Sequence, residues 1–255
     1  MTAATVITGD CLAQLQTMPP NCVDAVVTDP PWNLGKPYGA HDDAMPPDRY
    51  VEWLAAVLGE CRRVSRGAVV VLPGACNARY HRALLRRARL WPVATLLWRK
   101  PAAEPIFWTM VPPPARFPAS ICETEPSPDH PTFAGHPCPK PLALIERLVD
   151  AAVPPGGTVL DPFAGTGTTL LAAVRRRRHA IGIELEPRFC RVAERRIGLP
   201  TLRRAAHTSS PVASRGAATG LDSGEVRKVR PLMTRISPAV IDLYQETTLR
   251  GTDGS

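Results

Sequence analysis

The sequence predicts an α/β fold: an open sheet of buried parallel strands with helices on both faces. Three observations predict it. VDAVVT (23–28), GAVVVLPG (67–74), TVLDPF (158–163) and HAIGIEL (179–185) are short, mostly apolar and β-branched runs, the pattern of strands covered on both sides. Segments with helical spacing alternate with them, as in a parallel sheet. Two of the strand runs lead into proline- or glycine-rich loops, and ligands of open α/β sheets gather at that edge.

The elements follow in order. Run 23–28 is stopped by Pro30 and Pro31. Residues 48–64 place Tyr50, Leu54, Val57, Leu58 and Cys61 at helical spacing. GAVVVLPG (67–74) is the next strand. Residues 101–135 are dense in proline, so regular structure should be sparse there. PKPLALIERLVD (139–150) reads as a helix with proline near its start. Strand 158–163, helix 168–178, strand 179–185 and helix 187–197 complete the regular part. From about residue 203 the chain turns to Ala, Ser, Thr, Gly and Arg, and 203–235 reads as mostly disordered. Val240, Ile241, Leu243 and Tyr244 give a weak helical stripe within 238–249. The expected organisation is a catalytic domain at 1–200, holding the insert 101–135, and a low-complexity tail at 201–255.

Composition narrows the classes. The chain has 255 residues, 44% of them hydrophobic, which is enough for one sizeable core and rules out a wholly disordered or collagen-like chain. No run approaches the ~20 apolar residues of a membrane span. No charged leader with an apolar stretch opens the sequence, so a cytoplasmic location is expected. The seven cysteines include no C-x-x-C pair and read as reduced thiols. Cys122, His130, His136 and Cys138 fit no structural zinc spacing, and turn or packing roles are the expectation. Thirty-one cations against 23 carboxylates give a net charge of +8, which permits a nucleic-acid partner.

Two motifs carry chemistry. The first is Asp161-Pro162-Phe163-Ala164-Gly165-Thr166-Gly167-Thr168-Thr169, between a strand and a helix. Its glycines allow a tight turn with room for a ligand. Glu184 ends the next strand about 20 residues on, where an acid can accept both hydroxyls of a ribose. A P-loop would need Lys before Ser/Thr, and a dinucleotide fingerprint would need glycine where Leu170 stands. Asp161 would repel a pyrophosphate. An uncharged or cationic ligand suits better, such as S-adenosylmethionine (SAM).

The second motif is Asp29-Pro30-Pro31-Trp32, after strand 23–28. An exocyclic amine conjugated with its base is a poor nucleophile. Asp29 can accept one of its N–H groups and the Pro30 carbonyl the other, favouring the pyramidal nitrogen of the transition state. The prolines hold that carbonyl rigidly, and Trp32 offers a face to a base taken out of its stack. A plain turn after a strand is the alternative. If strands 23–28 and 158–161 are neighbours, amine and methyl donor meet at one edge.

Together these segments resemble the β-class (permuted) amino DNA methyltransferases of the adenine-N6/cytosine-N4 type, in which the catalytic motif precedes the cofactor motif. GDCLAQL (9–15), TDPPWNLGKPYG (28–39), HPCPKPLALIERL (136–148), LDPFAGTGTTLLAA (160–173) and GIELEP (182–187) carry the resemblance. It covers about 9–100 and 136–197. It implies a permuted Rossmann-like SAM-dependent methyltransferase sheet and methyl transfer from SAM to a flipped-out base in duplex DNA. Asp rather than Ser at the head of the catalytic motif favours adenine N6 over cytosine N4. The implied catalytic residues are Asp29, Pro30, Pro31 and Trp32. The implied cofactor residues are Asp10, Cys11, Lys140, Asp161, Pro162, Phe163, Gly165, Gly167, Thr168 and Glu184, with Asp10 at the adenine. No metal is implied. A homodimer and a restriction endonuclease are compatible partners.

Some readings stay open. Lys140 suits the cofactor's carboxylate, but His136 and Lys140 also suit a helix start. Lys36 and Tyr38 lie in a Gly-containing loop that either closes over the base or is plain surface. The insert 101–135 stands where target recognition is expected, yet it holds Arg116 against Glu104, Glu123, Glu125 and Asp129, a net of −3. Phe107, Trp108 and Phe117 suit core packing better than stacking on DNA. Phosphate contacts then fall to Arg86, Arg87 and Arg89, or to Arg99 and Lys100; Arg175–Arg178 read better as a solvated helix face. Methylation of a structured RNA, and a catalytically inactive nucleic-acid-binding homologue, are the rival functions.

Overall fold

In the computed structural model, which describes residues 2–36, 38, 39, 41, 43–73, 84–99, 104–114, 117, 120–122 and 140–198, eight strands form one sheet. They are β1 (Ala4–Thr8), β2 (Ala25–Thr28), β3 (Val69–Val71), β4 (Pro92–Arg99), β5 (Glu104–Thr109), β6 (Ser120–Cys122), β7 (Thr158–Asp161) and β8 (His179–Glu184). Their order across the sheet is β1-β8-β7-β2-β3-β5-β4-β6. Neighbours are parallel except where β5 runs against β3 and β4. The principal helices are α1 (Cys11–Thr17), α2 (Pro47–Val64), α3 (Leu142–Ala152), α4 (Thr168–Arg175) and α5 (Pro187–Arg196).

Alternation along the strands sorts the core into two layers. Ala25, Val27 and Val70 face one side, with Leu144, Leu148 and Val149 of α3, Leu170 and Ala173 of α4, and Ala193 of α5. Val26, Val69 and Val71 face the other, with Leu15 of α1 and Tyr50, Leu54, Val57, Leu58 and Cys61 of α2. The whole stripe expected on 48–64 is buried. Burial on both faces is why these strands read as continuous apolar runs.

This layering places the site. The α1 and α2 crossovers carry the chain from β1 to β2 to β3, in one direction along the sheet. The α4 crossover carries it from β7 back to β8 with its helix on the opposite face. The connections diverge between β2 and β7, so a crevice opens at the carboxyl ends of that pair.

The proline-rich insert departs from expectation. Two strands, β5 and β6, lie within it. β5 is held by burial of Ile106, Phe107 and Trp108, each 0–1% exposed. Pro105 lies beyond the three residues that β3 pairs, so its missing N–H costs no bond to β3. Phe107 and Trp108 are therefore core, and Phe117 packs against Trp108 with ring centroids 5.6 Å apart. Arg175, Arg176 and Arg178 pair with Glu146 and Asp150 of α3, as befits a helix face. The expected tail at 201–255, with its weak helix, lies outside the described residues. So do Lys100, Arg116, Glu123, Glu125, Asp129 and the side chains of Cys122, His130, His136 and Cys138. Among the described residues no His, Cys, Asp and Glu cluster could hold a metal, and no helix is long and apolar enough to cross a membrane.

Candidate active site

β2 and β7 run side by side in register, Ala25 opposite Val159 and Val26 opposite Leu160. Thr28 and Asp161, at the two strand ends, therefore meet, and the Thr28 hydroxyl donates to Asp161 Oδ1 over 2.9 Å. The same oxygen accepts the Phe163 N–H at 3.0 Å, which folds the chain back at once after the strand. The segment after β2 thus faces the turn after β7.

The turn is braced from the next strand. Glu184, the last residue of β8, accepts the Gly165 N–H through Oε2 and the Glu186 N–H through Oε1, both at 2.8 Å. Gly165 takes a left-handed backbone, φ +51°. Beside it, the Gly9 N–H donates to the Glu184 carbonyl and joins the end of β1 to the same rim. Asp10 caps α1, its Oδ1 accepting from the Ala13 N–H at 2.8 Å.

Between these elements lies a crevice of about 1030 Å³, open solvent included, large enough for a nucleoside-sized ligand. Eleven expected residues line it: Asp29 and Pro31, then Asp10, Cys11, Lys140, Asp161, Pro162, Phe163, Gly165, Thr168 and Glu184. Pro30, Trp32 and Gly167 do not. Pro30 is buried behind the motif. Gly167 answers to packing instead: it caps α4 with φ +81°, and a Cβ there would stand 2.7 Å from the Ala193 Cβ. Cys11 is a neutral thiol, pushed up to about 12 chiefly by burial.

The catalytic motif holds a surprise. Lys140, expected at the cofactor, gives its Nζ to Asp29 Oδ2 at 2.5 Å. The Trp32 indole donates to Asp29 Oδ1 at 3.1 Å, and the same ammonium sits 4.4 Å from the centre of the Trp32 ring. Both oxygens of Asp29 are engaged, and the stacking face expected of Trp32 is turned to a cation. Burial raises Asp29 from its ordinary value, Lys140 and Trp32 pulling the other way. Pro31 is fixed from α2, its carbonyl accepting the Tyr50 hydroxyl at 2.7 Å.

The sequence did not point to Trp53, His41, Thr169 or Ile145, which also line the crevice. Trp53 meets the edge of Phe163, ring centroids 5.7 Å apart, and His41 lies 5.1 Å from Trp53. Helical spacing gave a signal for Trp53, three residues after Tyr50 on the stripe of α2. The loop after the motif is built around Asp43, 3% exposed. Its carboxylate accepts the N–H groups of Asn33, Leu34 and Lys36. This loop brings Tyr38 and His41 into the crevice wall, which agrees better with a lid than with plain surface.

The donor set selects a ligand chemistry. Glu184 and Asp161 face the cavity, an aromatic wall stands at Phe163 and Trp53, and the charge of Lys140 is already engaged. Such a set suits a nucleoside with a cationic arm and repels a diphosphate.

Comparison with known proteins agrees. Residues 118–195 match a family model described as DNA methylase. The chain is 26% identical to DNA adenine methyltransferase YhdJ of Escherichia coli K12, over 76% of this chain and 83% of that one. It is 26% identical to the type II methyltransferase M.HpaI of Haemophilus parainfluenzae, over 75% and 73%. Among solved structures, a DNA modification methylase of Thermus thermophilus, TTHA0409, crystallised with S-adenosyl-L-methionine, is 27% identical, with TM-score 0.55 and coverage of 77% and 93%. The cytosine-N4-specific PvuII methyltransferase shares the fold at 17% identity, with TM-score 0.64 and coverage of 97% and 93%. With its Asp-Pro-Pro-Trp segment ahead of its glycine turn, and both on one crevice, the chain belongs to the N6/N4 DNA methylase family.

Proposed function

We propose that this protein transfers a methyl group from SAM to the exocyclic N6 amine of an adenine flipped out of duplex DNA. The observation that carries this is the joining of β2 to β7, which sets Asp29 and the Asp161–Thr169 turn on one crevice. SAM fits the acidic and aromatic lining, and when bound it supplies an electrophilic methyl group on a sulfonium. Glu184 is placed for the ribose hydroxyls, Phe163 and Trp53 for the adenine ring, and Asp161 for the positive arm.

The chain's own part is to hold and polarise the amine. Asp29 accepts one N–H, which draws the nitrogen lone pair out of conjugation with the ring. Pro30 and Pro31 fix the backbone beside it, and the aromatic wall excludes water. As the N–C bond forms and the methyl–sulfur bond breaks, the nitrogen loses a proton to water. Exposed Arg86, Arg87, Arg89 and Arg99 are the cations placed for DNA phosphates. On this reading the enzyme works in the cytosol. A second copy or a restriction endonuclease would be additional to the crevice, whose two motifs come from one chain.

Incubation with tritiated SAM and mixed-sequence duplex DNA tests the assignment. Label should appear in N6-methyladenine; label confined to N4-methylcytosine, or to competing RNA, overturns it. Glu184→Ala removes an ionised acceptor, and hydrogen bonds to charged groups contribute about 1.5–3 kcal/mol each. SAM binding should weaken about tenfold to a hundredfold by calorimetry.

Acid should weaken binding as well. Burial pushes Asp161 up to about 6 from an ordinary 3.8, against hydrogen bonds from Thr169, Phe163 and Thr28. The carboxyl is charged above that value and neutral below it, so a cationic ligand loses its partner as pH falls through it. SAM affinity should be level above about pH 7 and drop toward tenfold per unit below pH 6. This is separable from acid unfolding. A carboxyl raised on folding costs stability as pH rises from 3.8 to about 6, so at this group acid favours the fold. A flat calorimetric profile would remove the charge of Asp161 from the site.

A further inference from the structure

Asp29 does not stand alone. Lys140 Nζ lies 2.5 Å from its Oδ2, the Trp32 indole 3.1 Å from its Oδ1, and the same Nζ 4.4 Å from the Trp32 ring centre. The Lys140 side chain is only 8% exposed and that of Asp29 23% exposed. Each partner is delivered by constrained backbone. Lys140 directly precedes Pro141, the N-cap of α3, and Asp29 directly precedes Pro30. Three groups from segments 111 residues apart in sequence thus close a triangle.

The surroundings give that triangle a purpose. A carboxylate largely withdrawn from water tends to hold its proton. Two further acids act on Asp29 in the same direction: Glu104 of β5 raises it, and Asp161 of β7 is coupled to it by like charge. Lys140 is the cation opposing all three effects, and the Trp32 N–H assists. A protonated Asp29 would lose the charge that makes it a strong acceptor for the amine. Burying a lysine beside a reactive carboxylate is costly unless the pair is kept.

We propose that Lys140 is a positioning residue for methyl transfer: its ammonium keeps Asp29 charged and aimed in the base-free crevice, and yields Oδ2 to the incoming amine. The role rests on the reading of Asp29 as acceptor of that amine. It also explains the cation over Trp32. The ammonium holds the ring face until the base arrives, so that base entry and release of Oδ2 are one exchange.

Lys140→Met and Lys140→Gln both remove the charge, the second while keeping a donor; Lys140→Arg keeps it. Protein labelled with 13C at aspartate side-chain carboxyls is titrated by NMR, and Asp29 is identified by its loss in Asp29→Asn. Asp29 should titrate about one pH unit or more higher in Met and Gln variants than in the parent, and near the parent in the Arg variant. The acid limb of the single-turnover pH–rate profile should move by the same amount, with SAM affinity at pH 8 held within about threefold. Should Lys140→Met not fold, Lys140→Gln decides alone. An unshifted Asp29 titration in a folded charge-free variant overturns the proposal, as does a rate loss that is uniform across pH. The carboxyl titration needs no substrate. A parent protein that methylates no nucleic acid would fail the methyltransferase reading, while the titration would still show whether Lys140 governs Asp29.

Discussion

Asp29→Asn should lower single-turnover methyl transfer about 10²–10³-fold, the usual loss when one preorganised transition-state partner is removed. The asparagine keeps the size and one acceptor oxygen, and lacks the charge that draws on the amine. SAM binding should change little, because Asp161, Glu184 and Phe163 stand apart from this substitution. Asp29→Ala should abolish transfer and also cost stability. It leaves Lys140, 8% exposed, without its carboxylate. An orphaned buried charge costs about 3–5 kcal/mol, and the partial exposure of the pair argues for the lower part of that range. Rapid-quench assays with tritiated SAM read the first effect, and thermal unfolding reads the second. Near-parental turnover in Asp29→Asn would take Asp29 out of the chemistry.

Gly167→Ala should damage the fold rather than the ligand contact. Its backbone is left-handed, and an added Cβ would meet the Cβ of Ala193 at 2.7 Å and its Cα at 3.0 Å. A non-glycine residue in that conformation costs about 1–2 kcal/mol. Overpacking against helix backbone adds about 1–3 kcal/mol. For a domain of this size, a combined loss of about 2–5 kcal/mol lowers the unfolding midpoint by roughly 5–15 °C. A double-mutant cycle with Ala193→Gly separates the causes. The second substitution should relieve the overpacking share and leave the backbone share. A fully stable Gly167→Ala protein that binds SAM poorly would return Gly167 to the cofactor-contact role its motif suggested.

The glycine pair shows where the sequence stops being informative. A Gly-x-Gly turn announces that the chain bends tightly, and both residues read alike. Only the position of α5, set by burial of Phe189, Cys190 and Ala193, decides that Gly167 is crowded by protein while Gly165 lines the crevice. Lys140 is similar. Its charge and its place before a helix were legible, but its partner lies 111 residues away and is set by the sheet order. The stripe on α2 was read in full because its signal is local and periodic. β5 was missed because prolines in 101–135 outweighed the Ile-Phe-Trp run, and the weighing needed the knowledge that Pro105 passes the end of β3. The aromatic wall of Trp53 and His41 around Phe163 required the α2 crossover to be in place. What joined the two motifs was topology: the expectation that strands 23–28 and 158–161 are neighbours is met by the β2–β7 ladder.

That ladder frees the cleft from the reading direction of its gene. What must be kept is who lies beside whom, and the joining segments only have to reach. A chain that began with the glycine turn and finished with the Asp-Pro-Pro-Trp segment would build an equivalent cleft from the same parts. Order along the polypeptide is open to evolutionary reshuffling here, while adjacency is not.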